Sequence, residues 1–184
     1  MPFLLLFFCL WSENSPAYAD AKPIAKGALF PDVTFTDALT KESRSYLGIP
    51  WKKKFSLKDM KGTLFVFEVF STYCLSCPKN IPILNTVYAN TKNDPALKGK
   101  VKVMGIAVGN TENEIKQYNK EFKVSYIVLT DYSFAVHKAL GNVRVPFTIF
   151  VKRDVRGRCA VVATHQGVYD SEEDVMGTLK AVLR

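Results

Sequence analysis

Apolar and polar positions along the chain fall into two rhythms, one that suits strands and one that suits helices. Leu64-Phe65-Val66-Phe67-Glu68-Val69-Phe70 is an apolar, β-branched and aromatic run broken by a single acid. Such a run predicts a strand buried on both faces of a helix-covered sheet. Val101 to Val108 predicts the next parallel strand, reached through a helical crossover. Tyr126 to Leu129 reads as a short strand, and Phe147–Val151 with Cys159–Thr164 as a hairpin around Asp154–Gly157. Between these runs the period lengthens. Ile81, Leu84, Val87 and Tyr88 share one helical face that fades near Asn93-Asp94-Pro95. Thr111 and Glu114 form a capping box for a helix to about Phe122, and Ser133 to Leu140 is a short helix closed by Gly141-Asn142. Ser171 opens the last helix with an acidic first turn, and Val175, Leu179, Val182 and Leu183 give its buried face.

The first third is less regular. Pro31 to Asp37 alternates as an edge strand would. Residues 20–30 show no period and predict a flexible, loosely ordered lead-in. In Thr40 to Lys54, Tyr46-Leu47-Gly48-Ile49-Pro50-Trp51 is apolar enough to pack on the body, with a partner-binding flap as the alternative. Phe3 to Trp11 is an apolar block too short to span a bilayer, followed by the small-x-small site Ala17-Tyr18-Ala19. This predicts a secretory signal peptide over 1–19, cut after Ala19, and one domain over 31–184 in the periplasm. No Lys or Arg precedes the block, so its retention as a weak membrane anchor is the other reading.

Charge and cysteine count narrow the picture. At 184 residues with 48% hydrophobic content the chain can build a proper core. The formal charge is +8, and removing 1–19 takes away only Glu13, leaving 25 − 16 = +9. The basic clusters lack interleaved aromatics, which argues against nucleic acid as a partner. Cys9 leaves with the signal segment, so Cys74, Cys77 and an odd Cys159 remain. One pair does not staple a domain of this size.

Cys74-Leu75-Ser76-Cys77 stands where the buried strand hands over to a helix. A helix N-terminus supplies unpaired N–H groups and a positive dipole end, which favour a thiolate. A thiol with a free pKa of ~8.5 can fall to ~3.5–7.5 in such a setting. Cys74 is therefore the candidate nucleophile and Cys77, two residues further on, the resolving thiol. A C-x-x-C is also half a zinc site, but Cys159, His137 and His165 show no paired ligand spacing. A c-type haem would need a histidine directly after Cys77, where Pro78 stands. No metal and no cofactor are expected. An inert structural pair stays open, and Cys159 defaults to a buried inert thiol.

With Glu68 six residues before Cys74, Pro82 five after Cys77, and Val145-Pro146 about 70 residues on, the chain resembles the thioredoxin superfamily. Within it the exported TlpA/ResA-like thiol-disulfide oxidoreductases are the most similar, through Phe55-Ser56-Leu57-Lys58-Asp59-Met60-Lys61-Gly62 and the Asp131…Ala139-Leu140-Gly141 wording. The resemblance covers roughly Pro31 to Arg184. It implies a thioredoxin fold: a mixed central sheet with helices on both faces, an N-terminal hairpin extension and a strand-helix inset. It also implies a redox-active Cys74–Cys77 disulfide, a cis Pro146 facing Cys74, a Val145 backbone free to pair with substrate, and a buried acid in Glu68. The usual lysine near that acid falls on Gly105, so no cation is expected beside it. Tyr73 stands for the usual tryptophan beside the substrate. The implied partners are disulfides of exported proteins, apocytochrome c among them, with a membrane thiol carrier as electron donor.

Two other functions fit parts of the pattern. Leu75-Ser76 matches neither the Gly-Pro of thioredoxins nor the Glu-Pro of ResA-like proteins, which leaves the redox direction open. A peroxiredoxin-like peroxidase would use Cys74, with Arg144 as its arginine. That family's threonine and proline fall on Ser71 and Phe67 here. A non-catalytic thioredoxin-fold binding protein is the third reading.

Overall fold

The computed structural model describes residues 22–49, 51 and 53–184; the expected signal segment and its cut lie outside them. Five strands form the central sheet: β3 (Leu64–Phe70), β4 (Val101–Val108), β5 (Ile127–Asp131), β6 (Phe147–Arg153) and β7 (Cys159–Gln166). Their order is β5-β4-β3-β6-β7, with β3, β4 and β5 parallel and β6 and β7 antiparallel to their neighbours. All seven residues of β3 are buried, as its continuous apolar run requires of a central strand.

Alternation along β3 divides the core. Phe65, Phe67 and Val69 face one side; Leu64, Val66, Glu68 and Phe70 face the other. On the second side lie the helices α2 (Ile81–Asn93), α3 (Glu112–Glu121) and α5 (Glu172–Leu183), which contribute Leu84, Val87, Ile115, Val175 and Leu179. The first side is covered by α4 (Ala135–Ala139) and the N-terminal part of the chain. There, β1 (Thr34–Phe35) pairs antiparallel with β2 (Phe55–Ser56) as the expected hairpin, and Phe35 and Phe55 pack their rings 5.8 Å apart. The expected inset is β5 and α4. The architecture is the thioredoxin fold.

Three differences from the sequence reading have physical causes. Lys41–Leu47 is a helix, α1, capped by the Thr40 side chain and closed by Gly48 in the left-handed region. Its Leu47 and the following Ile49 pack into the core, while Trp51 lies outside under the Arg44 guanidinium. The Tyr46 hydroxyl accepts the Val103 N–H at 2.9 Å, in the part of β4 that extends past the start of β5.

The second difference corrects the loosely ordered lead-in. Gly27 and Phe30 donate to Val161 and Cys159 carbonyls at 2.8 Å, Val161 donates to Ala28, and Leu29 bridges Ala160 on the outer edge of β7. Phe30 stacks on Phe67 at 5.0 Å. Backbone hydrogen bonds to an open strand edge hold a segment that has no period of its own. Third, Cys159 is half-buried rather than buried, because it begins β7 beside the exposed turn. Among the described residues no helix is long and apolar enough to cross a membrane.

Candidate active site

The C-terminal end of β3 opens into the loop Ser71–Ser76, and the chain re-enters regular structure as a 3₁₀ turn over Cys77–Asn80 that continues into α2. Pro82, in the first turn of α2, has no N–H to donate back, which suits the change from one helix type to the other. The turn thus begins at Cys77. Cys74 stands just ahead of it, and its sulfur accepts the Cys77 N–H at 3.2 Å. The Ser76 hydroxyl is 3.5 Å from the same sulfur.

Cys74 and Cys77 are joined in a disulfide. The two sulfurs differ in access: Cys74 is half-buried, whereas Cys77 is 2% exposed and packs with Phe70 and Ile81. The loop is anchored by Asn110, itself fully buried. Its side-chain oxygen accepts the Thr72 N–H at 2.9 Å and its amide donates to the Thr72 hydroxyl at 2.6 Å.

The Val145–Pro146 peptide is cis and brings the Val145 carbonyl oxygen to 3.8 Å from the Cys74 sulfur. Gln166 and the Gly167 N–H hold the Pro146 carbonyl at 3.0 and 2.9 Å. The Val145 N–H meets no acceptor among the described residues. Tyr73 and Leu75, which flank Cys74 in the loop, are 71% and 97% exposed. The Tyr73 hydroxyl bonds the Glu114 carboxylate, so the ring is tied to α3. Arg144 is exposed.

Glu68 lies deeper, on the α2 side of β3. It is 2% exposed, and in register it stands between Gly105 of β4 and Thr148 of β6. Asn80 donates to Oε1 at 2.8 Å and the Thr148 hydroxyl to Oε2 at 2.6 Å. Among the described residues no cation partners it. A Cβ on Gly105 would come within 2.9 Å of the Phe70 ring, so a lysine there would have to displace it. Burial raises the Glu68 pKa to about 7, against the two hydrogen bonds that lower it. Asn80 is one turn beyond Cys77, so the acid is tied to the same turn that carries the buried sulfur.

Of the residues singled out from the sequence, Cys74, Cys77, Val145 and Pro146 come together; Tyr73 rims them, and Glu68 connects through Asn80. Asn80, Asn110 and Thr148 were missed. Asn110 follows Gly109 in a loop that has a turn signal, but nothing in the sequence marks Asn80 or Thr148 as partners of Glu68.

No family model matches the chain. It is 26% identical over 102 residues to the thiol-disulfide oxidoreductase ResA of Bacillus thuringiensis, which covers 55% of this chain and 56% of that protein. The chain thus spans about half the length of the curated relatives it matches first. A putative thiol:disulfide interchange protein DsbE from Chlorobium tepidum superposes with a TM-score of 0.65 at 17% identity, over 88% of this chain and 99% of that one. A secreted Mycobacterium tuberculosis disulfide oxidoreductase homologous to E. coli DsbE gives 0.55 at 17% identity, over 70% and 88%.

Proposed function

We propose that this thioredoxin-superfamily chain, similar to ResA, is a thiol-disulfide oxidoreductase that works outside the cytoplasm on protein disulfides. One observation carries the reading: a Cys74–Cys77 disulfide with one accessible and one buried sulfur, opposite a cis proline whose preceding N–H meets no acceptor among the described residues. Cys74 is the sulfur a partner reaches. Once reduced, its thiolate keeps the Cys77 N–H and the Ser76 hydroxyl as donors, which lower the energy of the charged form. The thiolate attacks a substrate disulfide, forms a mixed disulfide and releases the first substrate thiolate. Cys77 then attacks the Cys74 sulfur, re-forms the intramolecular bond and releases the second. A substrate strand pairs with Val145, and Tyr73 offers an apolar rim.

Glu68 takes the proton of the Cys77 thiol. An acid with a pKa near 7 suits transfer at neutral pH, and its link to Asn80 sets it one turn below that sulfur. The electron donor is a membrane thiol carrier, and the substrates are exported proteins, apocytochrome c thiols among them. The similarity to ResA supports this part of the reading. The small-x-small site at Ala17-Tyr18-Ala19 supports export, with Asp20 as the first mature residue.

Two measurements test these statements. The reduction potential of the Cys74–Cys77 pair is expected near that of a reductant, ~−270 mV for thioredoxin, rather than the ~−120 mV of a strong oxidant. A pair that exchanges with no protein disulfide removes the enzymatic reading altogether. Mass spectrometry of the chain recovered from the periplasm is expected to show Asp20 at the N-terminus. Recovery with Met1 still present replaces cleavage with anchoring.

A further inference from the structure

Each resolution step in the reading above loads a proton onto Glu68, and the acid is all but sealed from solvent at 2% exposure. On its Oε1 side the partner is the Asn80 amide, which donates in that bond and whose oxygen is occupied by the Tyr169 N–H at 2.9 Å. An amide so held is a poor carrier of protons. The Oε2 side is different, because a hydroxyl both gives and takes a proton. Thr148 is fully buried and is the register partner of His165 on β7, so the two side chains share the face that carries Glu68. His165 in turn stacks on Tyr169, with ring centroids 3.9 Å apart and planes 15° from parallel.

One polar atom of that stack, His165 Nε2, is buried without a hydrogen-bond partner among the described residues, and the Tyr169 hydroxyl lies against the Thr148 hydroxyl. Buried polar groups are ordinarily paired, and exceptions call for an explanation. Packing alone would be served as well by a phenylalanine pair. His165 as a whole is half-buried on β7, so its ring joins the buried cluster to the surface. An imidazole is also the side chain that accepts a proton on one nitrogen and releases it from the other near neutral pH.

We propose that Thr148, Tyr169 and His165 form the route by which Glu68 returns its proton to solvent; the inference rests on the role given to Glu68 above. In the resolution step the Cys77 sulfur gives its proton to Glu68 and bonds to the Cys74 sulfur. The bond from Cys74 to the substrate sulfur breaks, and its electron pair leaves with the substrate thiolate. Glu68 then passes the proton from Oε2 to the Thr148 oxygen as Thr148 hands on its own, beside the Tyr169 hydroxyl, towards His165. His165 takes the proton on its buried Nε2 and releases one from Nδ1 to water, and no electrons move in this second stage. Thr148, Tyr169 and His165 touch no substrate; they act through Glu68.

The test forms a mixed disulfide between Cys74 and an aromatic thiol in the full chain at pH 6, where Glu68 already holds a proton, and follows thiolate release by stopped-flow absorbance after a jump to pH 8, so that the acid must discharge through the exit before it can take the Cys77 proton. His165→Ala is expected to slow resolution about tenfold in dilute buffer and to leave the first attack by Cys74 unchanged. Added imidazole is expected to restore the rate, which a purely structural defect would not allow. His165→Gln, which fills the space without relaying a proton, carries the same test by rescue with concentrated buffer if the alanine variant does not fold. Unslowed resolution, or slowing that neither imidazole nor buffer relieves, overturns the exit. Glu68→Gln run alongside separates the two ideas: if it too leaves resolution unslowed, the acid's role falls. If it slows resolution while the His165 variants do not, only the exit falls.

Discussion

Replacing Cys77 with serine is expected to make the protein accumulate as mixed disulfides with its partners, while replacing Cys74 with serine yields none. The access difference between the sulfurs dictates this. Cys74 is half-buried at the loop, with its sulfur 3.8 Å from the Val145 carbonyl oxygen, whereas Cys77 is 2% exposed beneath Phe70 and Ile81. In the Cys77→Ser protein the first exchange proceeds, and nothing within the chain can cleave the product. In the Cys74→Ser protein the remaining thiol is shielded and lacks the Cys77 N–H as a donor, so its turnover should drop to background. Non-reducing gels of the two variants decide the matter. Adducts on Cys74→Ser with none on Cys77→Ser would reverse the roles.

Glu68→Gln should slow resolution by about 10²-fold or more and barely change the first attack by Cys74. Glutamine fills the same space and keeps a partner for both Asn80 and Thr148, so the loss isolates the proton transfer. The same variant changes stability in a pH-dependent way. Burial raises the folded-state pKa of Glu68 to about 7 from an ordinary 4.5, so between those values the native state holds a proton that the unfolded chain has lost. Stability therefore falls as pH rises through this window, by on the order of 3 kcal/mol once the group is ionised in both states. The glutamine variant lacks that slope and should be the more stable protein above neutral pH. Denaturant titrations at pH 5 and pH 8 check this; parallel curves for the two proteins would place the acid's titration elsewhere.

Local rules carry the sequence reading a long way in this protein and stop at recognisable points. The all-apolar run of β3, the Thr111–Glu114 box and the Ser171–Asp174 box form within a few residues of chain, and each appears where its pattern places it. Gly105, the position where the resembled superfamily carries its lysine, is also the register neighbour of Glu68 in space. What local pattern lacks is tertiary hydrogen bonding. Thr148 reaches Glu68 across 80 residues and Tyr169 reaches Asn80 across 89, and neither pairing leaves a periodic trace. Helix α1 escaped notice because Lys41-Glu42-Ser43-Arg44-Ser45 carries little apolar signal. Its stability comes from caps at both ends and from Leu47 in the core. The order of residues 22–30 was illegible for the same reason, since it is supplied by the edge of β7.

That last contact sets an order of events during synthesis. The residues that leave the ribosome early, Gly27 to Phe30, find their hydrogen-bonding partners only in Cys159 to Val161, about 130 positions later. Until β7 has emerged and paired with β6, the early segment has nowhere to settle and Phe67 lacks the ring of Phe30 above it. Closure over such a span is slow compared with the local helices. Residues 27–30 therefore dock only after β6 and β7 have paired. A protein shortened to start at Pro31 should keep its central strands but leave the first half of β7 as a bare edge open to pairing with another chain.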